Sequence, residues 1–372
     1  MSAAAARAMP PKPAGGVRWI VVVLLFAAVA LSYIDRQVLS VLKPTLQHQY
    51  GWSETGYGDV VFYFQLAYGI GYIAFGRIVD RIGARLGYAV AVTLWTAGHL
   101  AQALVTSTAG FALVRVPLAL GEAGAFPSSL AAIAEWFPTR ERTLAIGLFN
   151  AGTNIGAILA PLLVPAITLA FGWRMAFILT GLLTVIWLAA WLLFYRRPRE
   201  KTSLSAAELA YIESDPERRA APIPWLRLLR RRETWAYMLG RFLIDPVWWM
   251  FLAWLPDFFG KQYGLDLKSY GPPLVAIYVL ADLGSVAGGW GSSSLLRRGF
   301  SLNVSRKTAM LLCALVVTPV AAAVFAHDIW LAVLLIGLAT AGHQGFSANL
   351  YALPADLLPK GAVGSVVGLG GA

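Results

Sequence analysis

"GRIVDRIGARLG", Gly76–Gly87, is a charged, glycine-bounded break between two apolar runs. Crossing a bilayer takes about 20 mostly apolar residues, and the runs at 54–79 and 86–106 each supply that many. Arg77, Asp80, Arg81 and Arg85 crowd into the short stretch between them. It therefore reads as a tight, water-facing connection between two antiparallel membrane helices. Gly76 and Gly83 let helix ends approach closely. Asp80 suits capping and pairing with cationic groups at neighbouring helix ends.

Composition extends this reading to the whole chain. Hydrophobic residues make up 58% of the 372 residues, charged residues 13%, and mean hydropathy is +0.65. A soluble globular domain is about 45–50% apolar and about 25% charged, so the chain is a multi-pass membrane protein. Cys313 is the single cysteine, which excludes an intrachain disulfide. No zinc-ligand spacing, Walker loop or G-x-S-x-G elbow is present. We therefore expect no enzyme activity, no metal and no cofactor.

Apolar spans recur at 18–46, 54–79, 86–106, 109–136, 140–168 and 172–195, then at 233–259, 269–296, 306–326 and 328–356. An eleventh begins near Ala362, and the chain ends inside it. The expected organisation is a tail at 1–17, a six-helix bundle at 18–195, a linker at 196–232, and a second bundle at 233–372, truncated within its eleventh helix. "SAAE", Ser205–Glu208, is a capping-box pattern that opens a short polar helix in the linker.

Charge sets the expected orientation. Arg77, Arg81, Arg85, Arg140, Arg142, the 196–232 cluster and Arg297, Arg298, Arg306 and Lys307 fall on one side. The opposite loops hold only Arg174, Lys261 and Lys268. Lys and Arg concentrate on the cytoplasmic side, so the N-terminus and the linker are expected there. This bias accounts for the net charge of +11 without any nucleic-acid partner. Shifting the first half by 213 positions superposes Tyr57-Gly58 on Tyr270-Gly271, Gly76 on Gly289 and Arg85 on Arg298, while Asp80 meets Ser293. Repeated halves in the same orientation suit a transporter with its site at their interface.

The Gly76–Gly87 stretch resembles the major facilitator superfamily signature, G-x-x-x-D-R-x-G-R-R, with Ala84 at the usual first basic position. "YIDR" (Tyr33–Arg36), "RVPLALGEAGAFPS" (Arg115–Ser128) and "FNAGTNIGAILAP" (Phe149–Pro161) are similar to the anion:cation symporter family. "DPVWWMFLAWLPDFF" (Asp245–Phe259) and Gly342–Gly371 resemble its bacterial hexuronate transporters, which carry galacturonate and glucuronate. The resemblance implies an all-α membrane protein with the major facilitator superfamily fold of two six-helix bundles. It implies a proton-coupled symporter that imports a small organic anion across the bacterial inner membrane by alternating access. The partners are then the anion, protons and the lipid bilayer, and a monomer is expected. Aldonate, dicarboxylate or aromatic-acid transport, and an uncoupled facilitator, stay open as alternatives. Gly76, Asp80, Arg81, Gly83 and Arg85 become gating residues, with Glu135 and Pro138–Arg142 as ionic neighbours.

Helix geometry separates the two charges of "YIDR". At 100° per residue from Tyr33, Arg36 lies at about 300°, Gln37 at about 40° and Ser40 at about 340°. Asp35 lies at about 200°, roughly 100° from Arg36. The two are expected to face different environments. Arg36 is the candidate carboxylate grip, because guanidinium is permanently charged and binds bidentately. Tyr33, Gln37 and Tyr68 would add hydroxyl contacts. Arg115 and Glu122, seven residues apart, share a face at about 10 Å separation, where an intramembrane acid and base pair or line a transport path.

The family resemblance makes Asp35 and Glu122 proton sites with Arg115 between them, so Glu122 is expected on the proton side with Asp35. Asn154 is either a sugar-hydroxyl ligand or a structural residue. Trp248 and Trp249 fall on Asp35 and Arg36 under the 213 shift, so at least one of them is a candidate for the substrate's ring face. The resemblance adds Gln344 and Asn349 as hydroxyl ligands. His343 is as much a packed helix–helix contact as a ligand, and His99 reads as a core or interface histidine.

Overall fold

The computed structural model describes residues 16–214, 225–357, 366 and 369–371, and its elements there are all helical. The 1–15 part of the tail, linker residues 215–224 and the start of the eleventh helix near Ala362 lie outside the described residues. The helices are α1 (Val17–Tyr50), α2 (Glu54–Ala101), α3 (Thr108–Ala123), α4 (Ala125–Trp136), α5 (Thr139–Asn150), α6 (Gly152–Phe171) and α7 (Trp173–Phe194). They continue as α8 (Ala206–Ile212), α9 (Trp225–Leu228), α10 (Arg232–Tyr263), α11 (Gly271–Arg297), α12 (Leu302–Val317) and α13 (Ile329–Leu357). Eight stretches among the described residues are long and apolar enough to cross a membrane. Large apolar side chains such as Leu113, Phe242 and Trp290 are exposed on them, as a lipid-facing surface requires.

Local chemistry sets where the rods start, bend and stop. Ser53, Ser107, Ser205 and Ser301 each cap a helix by accepting a backbone N–H, which satisfies an otherwise orphaned donor. The expected spans 54–79 and 86–106 are the two parts of α2. Gly83, at φ 81°, turns the chain between them, a conformation that a side chain would strain. The expected rods 109–136 and 140–168 are each broken once, at Gly124 between α3 and α4 and at Ala151 between α5 and α6.

Small residues bring helices together. A side chain on Gly121 of α3 would collide with the backbone of Ala91 and Trp95 on α2. One on Gly284 or Gly288 of α11 would collide with Ala341 or Gly345 on α13. Gly71 and Gly284, 213 apart, do the same job in the two halves: Gly71 faces Leu120 and Ala123 on α3. Close backbone approach of this kind drives helix packing where water is absent.

Charged clusters mark the two ends of the molecule. At the end where α1 begins, Arg18 is 1% exposed and donates to Glu141 and Glu208, both at 2.9 Å. This ties the linker helix α8 to α1 and α5. Ser205 caps α8 as the capping-box pattern requires, but the Glu208 carboxylate reaches Arg18 and does not close the box. At the other end Lys43 of α1 is fully buried. It pairs with Glu54 of α2 at 2.8 Å and with Asp257 of α10 at 2.7 Å. Lys261 pairs with the same two acids. Tyr57 of α2 adds a bond to the Ala253 carbonyl of α10 at 2.8 Å. The two halves are thus joined at the end remote from α8.

Candidate functional site

Asp35 and Arg36 sit at the middle of α1 and face different surroundings. Asp35 is fully buried. Its Oδ2 accepts from Trp95 Nε1 at 2.8 Å and from Thr184 Oγ1 at 3.1 Å. His99 Nε2 stands 3.2 Å from Oδ1, and that oxygen has no hydrogen bond. Asp35 therefore occupies a small polar cage between α1, the second part of α2, and α7.

Arg36 faces the other way. Its Nε and Nη2 donate to Glu122 Oε2 at 2.9 and 2.6 Å. Its guanidinium carbon lies 4.4 Å from the Trp249 ring, 4.9 Å from Tyr33 and 5.0 Å from Tyr68. Aromatic faces stabilise a desolvated cation, and the Glu122 carboxylate compensates its charge. A buried cation without such partners would be costly. Tyr33 and Tyr68 thus stand at Arg36 together with Trp249 from α10, in the second half of the molecule.

Beside this cluster lies a cavity of about 30 Å³ lined by Arg36, Gln37, Phe64 and Arg115 from the first half and Trp249 and Leu252 from the second. That is room for one or two waters. The cavity lies at the interface of the halves and is too small for an organic anion.

Arg115 and Glu122 do not pair with each other. Two turns separate them along α3, and the short Glu122 side chain meets Arg36 of the facing α1 instead. Arg115 donates to Gln102 Oε1 at 3.4 Å and lies 4.4 Å over the Phe64 ring, with its Nε unpartnered. Glu122 consequently belongs to the Arg36 cluster and not to the Asp35 cage.

The other candidates are scattered. Trp248 stacks on His343 at 6.0 Å and meets Tyr278 edge-on, away from Arg36. His343 bonds the Ile244 carbonyl at 2.8 Å and is a helix–helix contact. Asn349 donates to the Gly288 and Gly345 carbonyls at 3.0 and 2.9 Å and accepts from Arg306 at 3.1 Å. Its amide locks α11, α12 and α13 together. Asn154 accepts from the neighbouring Thr153 at 3.0 Å, half-buried on α6 and outside the cavity. Gln344 is half-buried on α13, also outside it.

In the charged turn, Gly83 makes the reversal and Gly76 lies half-buried. Arg85 donates to the Leu192 carbonyl at 2.7 Å, and its own carbonyl accepts from Trp191 at 3.0 Å. Asp80 and Arg81 are exposed, and among the described residues neither forms an ion pair. Glu135, expected as an ionic neighbour of this turn, forms no ion pair among the described residues and accepts from Tyr195 at 2.8 Å. The Arg140 side chain lies outside the described residues.

Trp95, Gln102, Thr180 and Thr184 were missed by the sequence reading, and His99 was read as packing. Their one signal is polarity within apolar runs. Lys43 and Asp257 were missed too, though "VLKPTL" and "WLPDFF" carry lone charges in apolar surroundings.

The Major Facilitator Superfamily matches residues 25–372. The hexuronate transporter of Escherichia coli (strain K12) is 34% identical over 364 residues, 96% of this chain and 84% of that protein. The galacturonate transporter of Dickeya chrysanthemi is 36% identical over 307 residues, 81% of this chain and 89% of its own length. In fold, the chain is similar to a bacterial homolog of the human lysosomal transporter Spinster, solved inward-facing and unoccupied. The TM-score is 0.76 at 19% identity, over 96% of this chain and 81% of that one. With the glycine-packed helices and two joined halves, these matches show that the chain belongs to the Major Facilitator Superfamily, as a relative of its hexuronate transporters.

Proposed function

We propose that the protein is a proton-coupled symporter that imports a hexuronate or related sugar acid by alternating access. The observation that carries this reading is Arg36, held by Glu122 and boxed by Tyr33, Tyr68 and Trp249 at the interface of the halves. A guanidinium forks onto a carboxylate, and aromatic faces suit the apolar side of a sugar ring. In the loaded state the substrate carboxylate displaces Glu122 from Arg36. Gln37, beside Arg36 on the cavity wall, donates to a sugar hydroxyl; its amide nitrogen is buried without a partner.

Asp35, turned away from this cluster, is the proton site. Residues Gly76–Arg85 with the turn at Gly83 act in gating. The protein works as a monomer in a bacterial inner membrane, with the N-terminus and α8 on the cytoplasmic side. The end joined by Lys43 is then periplasmic and closed.

The test is a thermal-shift and calorimetric screen of the purified protein with D-glucuronate, D-galacturonate, D-galactonate, galactarate and D-glucose. A monoanionic sugar acid stabilises it and glucose does not. Equal stabilisation by glucose and glucuronate would sink the anion reading. Counterflow in liposomes with and without a proton gradient separates a symporter from an uncoupled facilitator.

A further inference from the structure

A line of side chains joins the Asp35 cage to the cavity. Gln102 Nε2 lies 3.4 Å from His99 Nδ1, and Gln102 Oε1 accepts from Arg115 Nη1 at 3.4 Å. We propose that His99 and Gln102 are positioning residues that relay the protonation of Asp35 to Arg115, and so set its readiness to hold an anion. The proposal rests on the reading of Asp35 as the proton site.

The partners assign the resting protons. Arg115 can only donate, so it holds the Gln102 oxygen toward itself and turns the Gln102 NH₂ toward His99. Nδ1 is then an acceptor. Thr180 gives its own hydroxyl proton to the Ala176 carbonyl at 2.9 Å, so it accepts from His99 Nε2 at 2.7 Å. His99 is the neutral Nε2–H tautomer, and its second nitrogen is read by Gln102.

Protonation of Asp35 reverses this order. Oδ2 already takes two donors, so the added proton belongs on Oδ1. An O–H there needs an acceptor, and His99 Nε2 stands 3.2 Å away. The balance is one proton gained: it enters at Nδ1, while the Nε2 proton passes to Oδ1. Asp35 and the imidazole both end neutral. Nδ1–H now faces the Gln102 NH₂, two donors in contact, so the amide rotates to present its oxygen to His99. Its NH₂ then faces Arg115, and that hydrogen bond is lost. Arg115, whose Nε already lacks a partner, is released on the cavity wall. Proton uptake thereby favours anion binding, and by linkage the anion favours the proton.

Among the described residues, α1 brings Asp35, with Arg36 beyond it, α3 brings Arg115 and Glu122, and the first part of α2 brings the Tyr57 phenol, which faces Arg115 across the cavity. The facing part of α2 brings Trp95, and α7 brings Thr180, Thr184 and the Phe177 ring, none of them charged.

Two readouts test the relay. The first is ¹⁵N NMR of histidine-labelled protein in nanodiscs. The chain has four histidines, and His99→Gln assigns the signal of interest. In the wild type, His99 passes from the Nε2–H to the Nδ1–H tautomer as pH falls from about 8 to about 5, and Asp35→Asn abolishes the change. The second is calorimetry with D-glucuronate over the same range. Wild-type affinity rises about tenfold, within the usual range for linked sites. In Gln102→Leu, which leaves Asp35 and His99 in place, nothing holds Arg115 at high pH, so affinity there climbs to the low-pH level and the rise flattens. In His99→Gln, Gln102 keeps its hold on Arg115, so the rise flattens at the wild-type high-pH affinity. A His99 that keeps one tautomer throughout overturns the relay, and so does a Gln102→Leu protein with the wild-type pH dependence. If the wild type binds no glucuronate, the sugar-acid reading fails, and the NMR tautomer change alone decides the relay.

Discussion

Arg36 makes two charge-assisted bonds to one carboxylate oxygen and lies among four aromatic rings, whereas Asp35, one residue earlier, meets only donors. Their variants should fail differently. Arg36→Lys keeps the charge but loses the planar fork. A hydrogen bond to a charged group is worth about 1.5–3 kcal/mol, so calorimetry should show D-glucuronate affinity falling by about tenfold or more. Asp35→Asn should spare binding and substrate exchange while ending accumulation driven by a proton gradient in liposomes. Glu122→Gln removes the carboxylate that competes for Arg36, so glucuronate should bind about tenfold more tightly. Comparable loss of binding in Asp35→Asn and Arg36→Lys would show that the two residues form a single site. The separation of Asp35 from Arg36 was legible at 100° per residue. The partner of Glu122 was not, because it sits on another helix.

The helices themselves were the most legible scale. Long apolar runs bounded by serine caps and charged turns place their ends within a few residues, because a backbone in lipid must satisfy its own hydrogen bonds. The breaks at Gly124 and Ala151 were not visible, since neither residue forces a turn; Gly124 is packed so closely against Phe75 that a side chain would not fit there. Close approach makes a sharper prediction. Gly121 has Trp95 Cβ 2.8 Å from where its own Cβ would lie, and Trp95 also holds Asp35. Gly121→Val should lower the melting temperature in detergent, through an overpacking cost of about 1–3 kcal/mol or more. Gly289→Ala, at a position with nothing within 4 Å, should change it little. Equal melting of the two variants would contradict tight α2–α3 packing.

Across the whole molecule, the halves are held at one end by Lys43, Glu54, Asp257 and Lys261. Lys43 is buried and contacts both acids, so its loss uncouples α1 from α10 directly. Removing one partner of a buried pair costs about 3–5 kcal/mol. Lys43→Met should therefore open this end, read as a longer and broader distance between spin labels on the exposed Thr55 and Lys268. Unchanged distances would mean that apolar contacts such as Tyr57 against Trp254 hold the end closed without the charges.

Within "YIDR", the sequence by itself determined that two charges lie in an apolar helix and point about 100° apart. Around "GRIVDRIGARLG" it determined the paired membrane helices and their reversal. Both follow from periodicity and from the cost of bare backbone in lipid, which act locally along the chain. Only the tertiary structure decided which residues answer those charges: Glu122 and Trp249 for Arg36, Trp95, Thr184 and His99 for Asp35, and Asp257 for Lys43. Each of these partners comes from a helix other than α1. The pairing depends on how glycine-lined faces dock, and a short polar side chain bonds whichever partner the docking brings within about 3 Å.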